Sequence, residues 1–213
     1  DEVMALFPSK YIHIGGDEVP KAAWKRSVFC QNFIKVNRLI DEQGLQSYFV
    51  RRIAEYLNTK GRKIIGWDEI TEGGLAADAT VLSRYVNKVG IVAAQNRHDV
   101  IMSPSRFCYF DHPESKNEDS VTFGGYLPLD SVYSYEPIPE KLSAGGIKHV
   151  LGAQGDVWTE YMSNPGKIEY MIFPRMSALS EVLWTPKESR DWPRFSSSIG
   201  NIFTRYRLWG ANY

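Results

Sequence analysis

The sequence is poor in cysteine and carries no surplus of charge. Its two cysteines, Cys30 and Cys108, are too few for a disulfide framework or a four-thiolate zinc site, although they leave room for a single bridge. Lys and Arg together number 25, as do Asp and Glu. That balance argues against a polybasic surface that draws in nucleic acid or anionic lipid. No apolar run approaches the ~18 residues of a membrane span. The four histidines, His13, His98, His112 and His149, show no paired metal-ligand spacing, so no metal is expected. Dinucleotide and phosphate-loop glycine patterns are missing, which leaves no cofactor expected. A Gly-x-Ser-x-Gly nucleophile elbow and Asn-x-Ser/Thr acceptors are missing too.

The rest is ordinary for a soluble globular domain, with 43% hydrophobic and 23% charged residues, and one domain is expected. Aromatics stand out. Six Trp, twelve Tyr and ten Phe make up 13% of the chain, several beside acidic residues. Aromatic faces with nearby carboxylates suit a sugar or another flat ligand rich in hydroxyls, and they equally fill a core.

Strand-like runs occur at 11–14, 63–67, 80–85, 99–103 and 149–154, separated by helical patterns. Leu45, Phe49, Ile53 and Leu57 predict one amphipathic helix that stops at Gly61. Ile168, Ile172, Met176, Leu179 and Leu183 predict another, kinked at Pro174 and closed by Pro186. The most loop-like stretch is 111–120. Alternating strands and helices imply an α/β fold with parallel strands. Each strand run leads into residues able to do chemistry: Asp17-Glu18, Trp67-Asp68-Glu69, Arg84-Tyr85, Tyr109-Phe110-Asp111 and Asp156 to Glu160. Active sites of parallel α/β folds gather at the carboxyl ends of the strands, in barrels and open sheets alike.

Gly15-Gly16-Asp17-Glu18 is the sharpest local signal. Two glycines after a strand permit a tight turn and close ligand approach. Two adjacent carboxylates then diverge, so one can meet a leaving group while the other reaches elsewhere on a substrate. They stand just before Pro20 and a helix start near Lys21-Ala22-Ala23-Trp24, where acidic residues also complement a helix N-terminus.

Four motifs in order resemble glycoside hydrolase family 20, the β-N-acetylhexosaminidases. They are His13-Ile14-Gly15-Gly16-Asp17-Glu18-Val19, Gly66-Trp67-Asp68-Glu69, Tyr109-Phe110-Asp111, and Gly152 through Tyr161. Phe173-Pro174-Arg175-Met176 and Glu181-Val182-Leu183-Trp184 extend the likeness. The resemblance implies a (β/α)₈ TIM barrel that removes terminal non-reducing β-linked N-acetylhexosamine, GlcNAc or GalNAc, with retention of configuration. This family is one of the known exceptions to the two-carboxylate scheme, because the substrate's own acetamido oxygen is the nucleophile.

Carried over residue by residue, the resemblance makes Glu18 the general acid and then the base, its pKa raised by a water-poor pocket and by neighbouring Asp17. Asp17 orients the acetamido N–H. Tyr109 donates its hydroxyl to the acetamido carbonyl. Trp67 and Trp158 wall the acetamido group and the ring, while Asp111 and Glu160 accept hydrogen bonds from sugar hydroxyls. The partner implied is a glycan bearing N-acetylhexosamine, and the compartment secreted, periplasmic or lysosomal.

Two departures from the family pattern matter. Many members read Ser-Trp after the sixth barrel strand, where this chain reads Arg84-Tyr85. Tyr85 takes the aromatic place there and adds a polar edge. The second departure is extent. The family's Asp-Glu pair sits at the fourth barrel strand, so the five runs correspond to strands four to eight, and residues 1–213 are the C-terminal portion of the catalytic barrel. Strands one to three, a sugar-gripping arginine and the preceding α/β domain are expected upstream. A full barrel needs about 250 residues, and a homodimer is one way to cover the open edges. Two other readings stay open: a fragment that binds glycan without turnover, and a glycosidase using separated carboxylates such as Glu18 and Glu160.

Overall fold

The computed structural model describes residues 1–85, 88–118 and 121–213. Among them five strands form one sheet: β1 (Tyr11–His13), β2 (Lys63–Trp67), β3 (Thr80–Ser83), β4 (Val100–Met102) and β5 (Val150–Ala153). Their order in the sheet is β1-β2-β3-β4-β5. The register sets Ile12 beside Ile64, Gly66 beside Val81 and Leu82 beside Ile101, all parallel. Sequential order without reversal is the winding of a barrel, whereas a doubly wound sheet reverses at a switch point. The fold is α/β, a run of consecutive barrel strands with their helices. The expected run at 80–85 stops at Ser83, because the backbone N–H groups of Arg84 and Tyr85 turn to the Asp68 carboxylate. Of the expected loop 111–120, the last two residues lie outside the described ones.

The chain divides into two compact units. The first holds Asp1–Met102 with Glu140–Leu151, the second Ser103–Pro139 with Gly152–Tyr213. In the first, the helix Glu42–Thr59 packs Val50, Ala54 and Leu57 onto Ile64, Ile70, Ala76 and Ala79. Asp41 caps that helix by accepting from the Gly44 N–H at 3.0 Å. Its buried face differs from the expected stripe. Phe49 is 64% exposed, while polar Gln46 and Ser47 are buried to hold loop carbonyls of Gly16 and Gly74. A count of apolar residues passes over such a face.

In the second unit, the expected kinked helix is two helices, Pro165–Ile172 and Arg175–Trp184, parted at Phe173-Pro174. Met171, Ala178, Leu179 and Val182 supply the buried apolar side chains, and Leu183 faces outward. Phe110, Leu127, Val132, Phe195 and Tyr206 are buried in this unit as well. Cys30 and Cys108 are free thiols. Among the described residues no helix is long and apolar enough to cross a membrane.

Candidate active site

In the first unit the candidate side chains stand at or just past the carboxyl ends of β1, β2 and β3. Ladder-like pairing runs on beyond β1: Ile14 N–H donates to Ile65 O and Trp67 N–H to Gly15 O, both at 2.9 Å. The chain then turns sharply, with φ +68° at Gly15 and +95° at Gly16. A Cβ on Gly16 would stand 2.4 Å from Ile70 Cγ2, and one on Gly66 2.7 Å from the same carbon. Glycine is required at both places. Gln46 donates its Nε2 to the Gly16 carbonyl at 2.7 Å, and Lys21 Nζ donates to the Val19 carbonyl at 3.0 Å and to Gln46. The turn is therefore braced from the helix behind it.

That turn delivers Asp17 half-buried and Glu18 exposed. Glu18 has φ +49°, the left-handed region that side-chain-bearing residues avoid at a cost of about 1–2 kcal/mol. Its side chain is 76% exposed, with Arg84 Nη1 at 3.6 Å from Oε1. The described residues of this unit do not form the dry enclosure expected around Glu18. Arg84 also pairs with Glu69 and lies over the Tyr85 ring at 5.1 Å. Asp68, buried, accepts the Arg84 N–H at 2.7 Å and the Tyr85 N–H at 3.2 Å. Burial raises its carboxyl pKa, and these donors pull the other way. Trp67 is buried with its ring edge-on to His13 at 5.6 Å, whereas Tyr85 is 53% exposed.

The second unit gathers Tyr109, Asp111 and Trp158. A parallel bridge joins Tyr109 to Asp156, made by Phe110 N–H to Asp156 O and Asp156 N–H to Cys108 O, each 2.8 Å. A Cβ on Gly155 would meet Phe110 Cε2 at 2.6 Å. The Tyr109 and Trp158 ring centroids are 6.1 Å apart. The Asp156 carboxylate, buried, accepts from Ser103 Oγ and from Gln154 Nε2, the latter at 2.6 Å.

Arg175 holds this segment from beneath. Its guanidinium, fully buried, donates to the carbonyls of His112 at 2.7 Å, Phe110 at 2.6 Å, Leu127 at 3.1 Å and Met171. Burial lowers its pKa to about 10 even with Glu114 Oε2 at 3.7 Å. Asp111 is 3% exposed, and its Oδ1 has no hydrogen-bond partner among the described residues. Burial pushes its carboxyl up to about 6, helped by the Glu160 and Asp156 charges and opposed by its own backbone N–H and by Arg175. Glu160 is exposed.

The first unit thus brings together Asp17, Glu18, Trp67 and Tyr85, and the second Tyr109, Asp111, Trp158 and Glu160. Residue-by-residue reading missed the bracing set of Gln46, Asp68, Asp156 and Arg175, and the pairing of Arg84 with two carboxylates. Asp68, Asp156 and Arg175 lie inside or beside the quoted motifs, so motif membership was the available signal. Gln46 carried none. Among the described residues no three His, Cys, Asp or Glu side chains converge to hold a metal ion.

The family model for the catalytic domain of glycosyl hydrolase family 20 matches residues 1–187. A β-hexosaminidase of Porphyromonas gingivalis is 44% identical over all of this chain and 28% of its own length. One from Vibrio furnissii is 34% identical over 84% of this chain and 30% of its own. Among solved structures, the family-20 exo-β-N-acetylglucosaminidase of Vibrio harveyi, in complex with N-acetylglucosamine, superposes with a TM-score of 0.90 at 33% identity. It covers 100% of this chain and 34% of that one. The chain spans about a third or less of these relatives.

Proposed function

The chain belongs to glycosyl hydrolase family 20, and from that premise we propose that it carries the catalytic acid of a β-N-acetylhexosaminidase, as the C-terminal portion of a longer catalytic barrel. The observation that carries this reading is Glu18 itself: an exposed carboxylate held at φ +49° on a glycine turn at the carboxyl end of a parallel strand. Strained backbone that the surroundings over-determine is a mark of functional placement.

In the proposed reaction Glu18, protonated, gives its proton to the glycosidic oxygen as the bond from that oxygen to the anomeric carbon breaks. The acetamido carbonyl oxygen of the sugar bonds to the same carbon, giving an oxazolinium ion. Asp17 accepts the acetamido N–H and offsets the positive charge growing there. Water then bonds to the anomeric carbon as its bond to the acetamido oxygen breaks, opening the oxazolinium ring, while Glu18 takes the water's proton, and configuration is retained. Tyr109 donates to the acetamido carbonyl, which fixes the nucleophile's approach. Trp67, Tyr85 and Trp158 supply apolar walls, and Asp111 and Glu160 accept sugar hydroxyls. The unpartnered Asp111 Oδ1 supports that role, since a buried acceptor without a donor costs about 1–3 kcal/mol.

One observation favours a binding-only reading: Glu18 is 76% exposed, and a general acid works best where water is scarce. Two aryl β-glycosides, one with a 2-acetamido group and one with a 2-hydroxyl, separate the cases. Cleavage of the acetamido substrate alone is expected. Equal cleavage of both would overturn acetamido participation and favour paired carboxylates such as Glu18 and Glu160. Saturable N-acetylglucosamine binding without release of either aryl group would favour the binding-only piece.

A further inference from the structure

The second unit holds a cleft of about 610 Å³ built from elements that contribute no candidate site residue. Its walls are the helix Leu129–Tyr133 with the chain that follows it, and the segment that enters the helix Trp192–Trp209. The volume falls within the ~300–1,000 Å³ of small-molecule sites. Trp192 lies on one wall, 36% exposed. Tyr133 at 5.3 Å and Phe195 at 5.9 Å between ring centroids back the indole. Tyr133 also accepts the Asp191 N–H at 2.9 Å, which ties the two walls together. The indole is thus packed against two rings while the residue stays partly exposed.

Among the polar groups of the cleft, Glu136 and Arg190 hold each other. Glu136 accepts from Arg190 Nη1 at 3.1 Å and from the Ile138 N–H at 3.0 Å, with Lys187 Nζ at 3.9 Å. Arg190 is anchored in turn on the Thr185 carbonyl at 3.1 Å. Asp130 lies exposed on the same cleft, which Ser131 and Ser134 also line. Two carboxylates against two cations leave the cleft without net charge, which gives an ionic ligand no advantage. Acceptors, donors and hydroxyls beside a partly exposed indole match a ring that stacks on one side and offers hydroxyls at its rim.

We infer that this cleft is a second carbohydrate-binding site, taking a neutral sugar ring stacked on Trp192 with its hydroxyls on Asp130, Glu136 and Arg190. Such a site holds a glycan without reacting with it. It goes beyond the reading at Glu18 and does not rest on it.

The test follows the indole N–H signal of Trp192 by NMR in the isotope-labelled protein, assigned by its loss in Trp192→Phe. Cellobiose serves as the neutral probe, since it lacks the acetamido group on which the proposed reaction depends. Glucuronate serves as the charged one. Cellobiose is expected to shift the signal saturably and more tightly than glucuronate does. Asp130→Ala should weaken cellobiose roughly fivefold, the worth of one hydrogen bond. Ser134→Trp, which fills the cleft from an exposed position, should weaken it roughly tenfold or more. Both variants alter exposed residues and keep the test independent of folding. A silent Trp192 signal, tighter binding of glucuronate, or cellobiose affinity unchanged in both variants would overturn the inference.

Discussion

Glu18 and Asp111 are both candidate carboxylates, one beyond the end of β1 and one two residues past the Tyr109–Asp156 bridge, and their surroundings are opposite. Glu18 is 76% exposed on a positive-φ turn, whereas Asp111 is 3% exposed on a segment that Arg175 clamps by its carbonyls. The first can trade protons with a ligand and with water. The second is dry enough that its proton affinity rises, and its backbone is fixed from below. The contrast separates two settings: an open turn that carries backbone strain, as the proposed acid would need, and a buried segment whose backbone is held in position.

Breaking the clamp has the largest expected effect. Arg175→Met removes donors from four carbonyls and the cation beside Glu114. A loss of about 3–5 kcal/mol is expected in urea unfolding. Arg175→Lys should recover little of it, since an ammonium cannot reproduce the guanidinium fork.

Asp111 gives a smaller effect with a definite sign. Its carboxyl titrates near 6 in the fold against an ordinary 3.8, so the fold prefers the protonated form. The stability that form contributes is full below the ordinary value and is lost as pH rises through about 6, roughly 2–3 kcal/mol in all. Asp111→Asn cannot ionise. Its unfolding midpoint, compared with wild type, should therefore gain between about pH 4 and about pH 7. A constant difference across that range would mean that Asp111 is not held in a dry setting.

The smallest effect sharpens the comparison from the other side. Glu18→Asn places a residue that tolerates the left-handed region at φ +49°. A gain of a few tenths of a kcal/mol in stability is expected, together with loss of turnover, as strain at functional positions implies. Calorimetry on the variant checks the first part and an aryl glycoside assay the second.

Much of this was legible in the sequence. The five strands showed as short apolar runs, and Asp17-Glu18 stood out as paired acids behind two glycines, although acids there also complement a helix N-terminus and only the family likeness chose between the two readings. Trp67, Tyr109 and Trp158 followed from motif order. The bracing residues did not show, because their partners are remote: Gln46 meets Gly16 thirty positions away, and Arg175 meets His112 across sixty-three. No local periodicity encodes such pairs. For the same reason the helix Glu42–Thr59 buries Gln46 and Ser47 in place of the apolar Phe49.

The most direct measurement is kcat of Glu18→Gln on an aryl N-acetyl-β-hexosaminide, with the unfolding midpoint taken on the same sample. The account predicts a fall of roughly 10²–10⁴ in kcat with the midpoint unchanged. Turnover near the wild-type rate in that variant would contradict it, and the exposed carboxylate at the end of β1 would then be a feature of the turn alone.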